Sequence, residues 1–257
     1  WSRSWRPRCA RRSPARLDTT SKKRYSSAVL PFFCFYGGKW RAAPHYPKPR
    51  YNRLIEPFAG AAGYSTRFHL CDVVLVETDP VIAGLWRWLI SAPASEVLAL
   101  PATVPDTVSA LGLAPGPSAL IGFWLNKGAA SPCQRPSAWM RGGTHPKSYW
   151  GAEVRTRIAD QVGMIRHWTV IEGDYADAPD EEATYFVDSP YVGAGVHYRK
   201  RFDRHEQLGE WCRTRRGQVI ACENVGATWL PFEPFRVIKA NESRSGGKRS
   251  AEAVWLK

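Results

Sequence analysis

Apolar runs that stop at an acid organise this chain. Leu54 and Ile55 run into Glu56, residues 73–76 into Glu77, residues 168–171 into Glu172, and residues 184–187 into Asp188. Short runs rich in β-branched and aromatic residues read as strands. Between and after them, apolar positions recur at helical spacing. Residues 81–90 predict a helix with Trp86 and Leu89 inward. Residues 153–165 predict another, with Val154, Ile158, Val162 and Ile165 on one face and Arg155, Arg157 and Asp160 outside. Residues 204–216 predict a third, with Leu208 and Trp211 inward. A helix is also expected to begin near Tyr64, and a short one over 96–100. Residues 218–221, 235–239 and 253–256 read as closing strands. The pattern lapses over 91–151. There, residues 120–125 are apolar and packed, 126–132 form a loop, and 139–144 predict a hairpin tip. Residues 193–199 and 241–250 read as glycine-bearing loops with basic residues. Strands alternating with helices belong to the α/β class.

Composition narrows the partners. A chain of 257 residues, 44% hydrophobic and with 12 Trp, can bury a large core. Its net charge of +13 points to a polyanion, and nucleic acid is the usual one. The first 25 residues hold nine Lys or Arg against Asp18 alone, without an apolar period. They read as part of a disordered basic arm over 1–30. Opening on Trp1, the arm fits a segment upstream of the natural start or a fragment boundary; a DNA-clinging tail and a transit peptide are the functional alternatives. Cys9, Cys34, Cys71, Cys133, Cys212 and Cys222 form neither a CxxC pair nor a His/Cys ligand cluster. A disulfide framework and a metal site are therefore not expected, and a reducing, cytoplasmic compartment is. Arg87 interrupts the longest apolar stretch, so no membrane span is expected.

In open α/β sheets ligands bind outside the carboxyl ends of the strands, so the strand ends carry the candidate chemistry. Glu56, Pro57, Phe58, Ala59, Gly60, Ala61, Ala62 and Gly63 make a small-residue loop on which a ligand can rest. Glu77 follows about twenty residues later, the spacing at which an acid takes ribose hydroxyls in a nucleoside-binding βαβ unit. Upstream, Phe35, Tyr36, Gly37, Gly38 and Lys39 combine aromatics, a close-approach glycine pair and a cation able to meet a carboxylate or a phosphate. Asp174 and Tyr175 set an acid beside a ring, which suits the amino group and face of an adenine; a surface turn has the same residues. Asp188, Ser189, Pro190 and Tyr191 carry the most specific chemistry. The Asp188 carboxylate can accept one hydrogen of an exocyclic amine, and the Ser189 carbonyl the other. Tyr191 can stack on a flat base. An ordinary Asp-to-Pro turn would also end such a strand. Lys127, Arg135, Arg141 and Lys147 interleave with Tyr149 and Trp150, a mixture suited to phosphate contacts and base stacking. Pro132-Cys133 and Glu223-Asn224-Val225 match fragments of cytosine-C5 methyltransferases, but the segment around Asp188 lies between them, and short motifs match by accident.

Taken in order, Phe35 to Lys39, Glu56 to Gly63, Glu77, Gly173-Asp174-Tyr175 and Asp188-Ser189-Pro190-Tyr191 resemble the Dam-like (D12 class) DNA adenine-N6 methyltransferases, which include many phage enzymes. The resemblance covers about residue 31 to the end, and Glu252 to Leu256 resemble the family's last strand. It implies a Rossmann-like methyltransferase fold with a mixed seven-stranded sheet. It also implies a donor-binding half over 31–91, a target-recognition insert over 92–167 and a catalytic half over 168–257. S-adenosylmethionine is the implied methyl donor and double-stranded DNA the implied partner, with the protein expected as a monomer. Phe35, Tyr36, Gly38 and Lys39 match the N-terminal donor motif. Glu56, Pro57, Phe58, Gly60 and Gly63 would lie under the methionine part. Glu77 would take the ribose, and Asp174 and Tyr175 the adenine. Asp188, Ser189, Pro190 and Tyr191 match the catalytic motif, in which the target adenine leaves the duplex to be methylated. Ser189 stands where the family has its first proline, Glu77 where it usually has Asp, and Ala62 where it often has glycine. A cytosine-N4 or RNA amino-methyltransferase, or an inactive relic that still binds DNA or donor, are the alternatives. The recognition sequence and any restriction partner are not readable from the chain.

Overall fold

The structure is a computed structural model that describes residues 29–141, 148–192, 202–239 and 249–257. Residues 1–28 of the basic arm expected over 1–30, residues 193–199 and 241–248 of the expected loops, and Lys147 lie outside the described residues. The last two residues of the expected arm are not disordered: Val29 is buried and the Leu30 amide donates to Gln161 Oε1 at 2.9 Å. The strands are β1 (Arg53–Glu56), β2 (Asp72–Glu77), β3 (Thr169–Glu172), β4 (Ala183–Val187), β5 (Gly217–Asn224), β6 (Glu233–Lys239) and β7 (Arg249–Leu256). They form one mixed seven-stranded sheet in the order β3-β2-β1-β4-β5-β7-β6. β1 to β5 are parallel to their neighbours among themselves, and β7 runs antiparallel to both β5 and β6. This α/β architecture is compatible with a Rossmann-like fold.

Alternating side chains sort onto two cores because successive residues of a strand point to opposite faces. Leu54, Val73, Leu75, Phe186, Ile220 and Cys222 face the larger core. Ile55, Val74, Val76, Tyr185, Val187, Val219 and Ala221 face the other. Both faces are covered, which is why these strands read as continuous apolar runs. The larger core is filled by α1 (Pro80–Ser91), α2 (Ala94–Ala99), α3 (Pro115–Trp124) and α5 (Ala152–Val162), and the smaller by α6 (His205–Thr214). Asp79 starts α1 by accepting the Val81 amide at 2.9 Å, with Pro80 in the first turn.

Residues 120–125 are buried as expected; 120–124 lie in α3, whose start is marked by Pro115 and Pro117, prolines tolerated in a first turn, and Leu125 is its C-cap. Three expectations change. The helix expected near Tyr64 is a 3-10 turn, Ser65–Phe68, because β2 begins at Asp72 and leaves no length for more. The described part of the expected hairpin tip is a helical turn, α4 (Ala138–Arg141). Ser137 caps it, its hydroxyl accepting the Met140 amide at 3.2 Å and its carbonyl the Arg141 amide at 3.0 Å. The segment expected as an insert contributes α2, α3 and α5 to the same core as α1, so much of it is scaffold.

Candidate functional site

The sheet order reverses direction between β1 and β4, and the crevice outside such a reversal is where ligands sit in open α/β sheets. Glu56 ends β1, and Asp188 follows the last residue of β4. Between them lies a cleft. Phe35, Tyr36, Gly38, Lys39, Glu56, Pro57, Phe58, Gly60, Gly63, Glu77 and Asp188 all line it, as does Pro190. One surface thus gathers residues from three distant parts of the chain.

The loop after β1 is held from beneath. The Ala59 amide donates to the Val76 carbonyl at 3.0 Å, the Gly60 amide to Glu77 Oε2 at 2.9 Å, and Trp86 Nε1 to the Gly60 carbonyl at 2.8 Å. Gly60 has φ +44°, and a Cβ there would lie 3.2 Å from the Phe35 ring. Ala62 adopts φ 47° without being glycine, a strained position of order 1–3 kcal/mol that the loop tolerates because it is buried and hydrogen-bonded. Glu77 serves the loop first, since its Oε1 also accepts the Asp79 amide at 2.8 Å. A carboxylate has about four acceptor positions, so capacity for a hydroxyl ligand remains.

Glu56 is 2% exposed, and its Oε1 accepts the Ser65 amide at 2.6 Å. Burial pushes its carboxyl up to about 8, against the pull of the Ser65 hydrogen bond. The folded protein therefore keeps a proton that the unfolded chain gives up near the ordinary carboxylate value. Stability from this group is full below that value and is lost as pH rises toward about 8. Melting curves across that window should fall with pH in the wild type and fall less in Glu56→Gln, which keeps an acceptor for Ser65. Parallel curves would remove Glu56 as the cause.

The catalytic candidates form a buried cluster. Lys39 Nζ lies 2.9 Å from Asp188 Oδ1 and 3.6 Å from Glu252 Oε1. The same ammonium stands 4.7 Å from the centre of the Tyr191 ring. Burial works against the Lys39 charge, but Asp188, Tyr191 and Glu252 outweigh it and hold the ammonium above the usual lysine range. Burial pushes Asp188 up while Lys39 pulls it down. The 2.9 Å contact is that of an ion pair. Ser189 is buried, and its hydroxyl has no hydrogen-bond partner among the described residues. The Pro190 carbonyl accepts from His205 Nε2 at 2.9 Å, which fixes the proton on that nitrogen. Glu223 Oε2 accepts the Val192 amide and Trp229 Nε1, each at 3.1 Å. Glu223, noted in the sequence only as part of a chance match, thus clips down the segment after Tyr191. Its companion Cys133 packs its backbone on Gly122, donating its amide to the Gly122 carbonyl at 3.0 Å.

Asp174 and Tyr175 stand outside the cleft lining. Asp174 pairs with Arg204 at 2.5 Å and caps a 3-10 turn. Tyr175 is buried, stacked on Phe58 with centroids 5.7 Å apart. Phe58 is therefore one of the rings the cleft presents, and Tyr175 backs it. Lys127 lies over the Tyr149 ring at 5.5 Å, Arg135 pairs with Asp106 at 3.0 Å in the open, and Arg141 donates to the Pro136 carbonyl at 2.6 Å. The loop bearing Lys127 borders the cleft: Ala130 lines it, and the Ala129 carbonyl accepts the Tyr36 amide at 3.2 Å. Sequence reading missed Tyr46, Arg204 and His205, and gave Glu252 no role. Only an acid inside the last strand, buried where an apolar residue is the rule, could have drawn attention to Glu252.

No helix among the described residues is long and apolar enough to cross a membrane. No protein-family model matches the chain, and no curated protein matches it significantly.

Proposed function

We propose that this protein transfers a methyl group from S-adenosylmethionine to the exocyclic amine of an adenine flipped out of DNA. The observation that carries the reading is the position of Asp188. It closes the carboxylate-lined cleft on one side and, through Lys39, adjoins Tyr191 on the other. A mixed seven-stranded sheet with its cleft at the strand-order reversal supports a methyltransferase fold.

The residues of the cleft suit such a donor. Asp188 offers a carboxylate to a cationic amine and sulfonium, Glu56 a carboxyl group at the end of β1, Glu77 an acid suited to a ribose, and Phe58 a ring to an adenine. Gly60 keeps the loop backbone open where a side chain would collide with Phe35. The donor supplies an electrophilic methyl group. Everything else falls to the protein. Asp188 accepts one hydrogen of the target amine and the Ser189 carbonyl the other, which turns the nitrogen lone pair toward the methyl. Tyr191 stacks the flipped base. Nitrogen gains the methyl, sulfur keeps the bonding pair, and the surplus amine proton passes to solvent. Rate comes from proximity and placed charge.

Incubating the protein with methyl-labelled donor and duplex DNA, then digesting to nucleosides, tests this. N6-methyladenine is the expected product. N4-methylcytosine would replace adenine with the other exocyclic amine. Donor binding without any labelled base would mean an inactive relic. DNA affinity should also fall steeply with salt, in proportion to the phosphates neutralised, given the net charge of +13. A flat salt dependence would assign that charge elsewhere.

A further inference from the structure

Lys39 is one cation held between two carboxylates, Glu252 buried and Asp188 partly exposed at the cleft. Asp188 and Glu252 contact its ammonium at 2.9 and 3.6 Å, with side chains 19% and 7% exposed. Glu252 is not loosely placed. Its other oxygen accepts the Tyr46 hydroxyl at 2.5 Å, and β7 registers it opposite Asn224 at the carboxyl end of β5. The Tyr46 ring is fixed in turn, stacked on Phe235 at 4.7 Å and edge-on to Phe186 at 5.3 Å.

Two carboxylates on one ammonium leave an excess of buried negative charge, which is costly unless a cation shares the site. Methyl transfer to an amine creates such a cation at nitrogen. A neutral Lys39–Asp188 pair would give that developing charge little. Asp188 Oδ1, held by Lys39, would also have to be released before that oxygen could orient an amine. Both difficulties vanish if the ammonium moves toward its second partner.

We propose that Glu252, oriented by Tyr46, is a positioning residue that takes the Lys39 ammonium when Asp188 turns to the substrate amine. This rests on the amine-methyltransferase reading above. Glu252 and Tyr46 touch neither substrate nor donor; they act through Lys39 on Asp188.

Single-turnover methyl transfer, donor affinity and thermal melting are measured for wild type, Glu252→Gln and Tyr46→Phe. The transfer rate of Glu252→Gln should fall by roughly tenfold to a hundredfold, as misplaced catalytic groups cost, with donor affinity within about twofold of wild type. Tyr46→Phe keeps the stacked ring and both carboxylates and removes only the hydroxyl, so it should slow transfer less, again with donor affinity kept. If Glu252→Gln does not fold, Tyr46→Phe decides alone. An active wild type with both variants at its rate would overturn the inference and leave the methyltransferase reading standing. Rate, donor affinity and melting temperature falling together would also overturn it, in favour of a structural counter-ion. A wild type that methylates no amine would overturn both.

Discussion

Replacing Asp188 with alanine is expected to lower methyl transfer by about a hundredfold or more, the usual cost of removing one placed electrostatic interaction. The carboxylate sits where the cleft adjoins the Tyr191 side, the place the proposed mechanism needs it. Lys39 keeps Glu252 as a partner at 3.6 Å, so the variant should fold, and a loss of rate can be read as chemistry. Asp188→Asn retains an acceptor oxygen without the charge and should fall between alanine and wild type. Ser189→Pro belongs in the same assay. It removes a buried hydroxyl with no partner among the described residues, keeps the carbonyl and stiffens the turn, so the rate should hold or rise. Single-turnover transfer to duplex DNA measures all three. An alanine variant at the wild-type rate would end the proposed mechanism. A silent wild type beside an active Ser189→Pro would show a relic disabled at that one residue.

Gly63→Ala is expected to damage the cleft from the opposite side. A Cβ at Gly63 would lie 2.5 Å from the Trp40 amide nitrogen and 2.9 Å from that of Lys39. These are backbone atoms, which cannot swing aside as a side-chain tip can. Either the loop after β1 or the segment bearing Lys39 must shift. Overpacking of this kind costs about 1–3 kcal/mol, which in a chain of this size lowers the melting temperature by roughly 2–4 °C for each kcal/mol. Donor affinity should fall with it, because both displaced segments line the cleft. Gly84→Ala is the control. Nothing lies within 4 Å of its added Cβ, and it sits inside α1, where alanine is favoured over glycine by about 1 kcal/mol. That variant should melt higher. Equal melting temperatures for the two would mean that the loop yields at no cost.

Local pattern carried most of the fold into view. Residues 54–55, 73–76 and 184–187 could be read as strands because burial on both faces leaves unbroken apolar runs, and the acid after each run marked the edge that holds the cleft. Helix α5 was readable from Val154, Ile158 and Val162, which share one buried face. Helix α3 was not, because its face is apolar nearly all round and gives no period. In the site, Phe35, Lys39, Glu56 and Asp188 could be read from short motifs, each local to one turn. What joins them could not. Glu252 meets Tyr46 across 206 residues, and Gly63 meets Trp40 through a fit of two backbones. The roles of Asp174 and Tyr175 shifted for the same reason: an acid beside a ring is visible in sequence, but the Arg204 and Phe58 that occupy them arrive from elsewhere.

Strand β7 also sets when the Lys39 cluster can be completed. β7 slots between β5 and β6 rather than adding to an outer rim, and it brings Glu252 to the Lys39 cluster. During synthesis, the parallel strands and the loop after β1 can assemble while residues 249–256 are still within the ribosome. Until those residues emerge, β5 has an open edge and Lys39 lacks its Glu252 partner. A ribosome stalled short of Arg249 would hold a sheet with a sticky, unfinished flank, fit for chaperone capture rather than for chemistry.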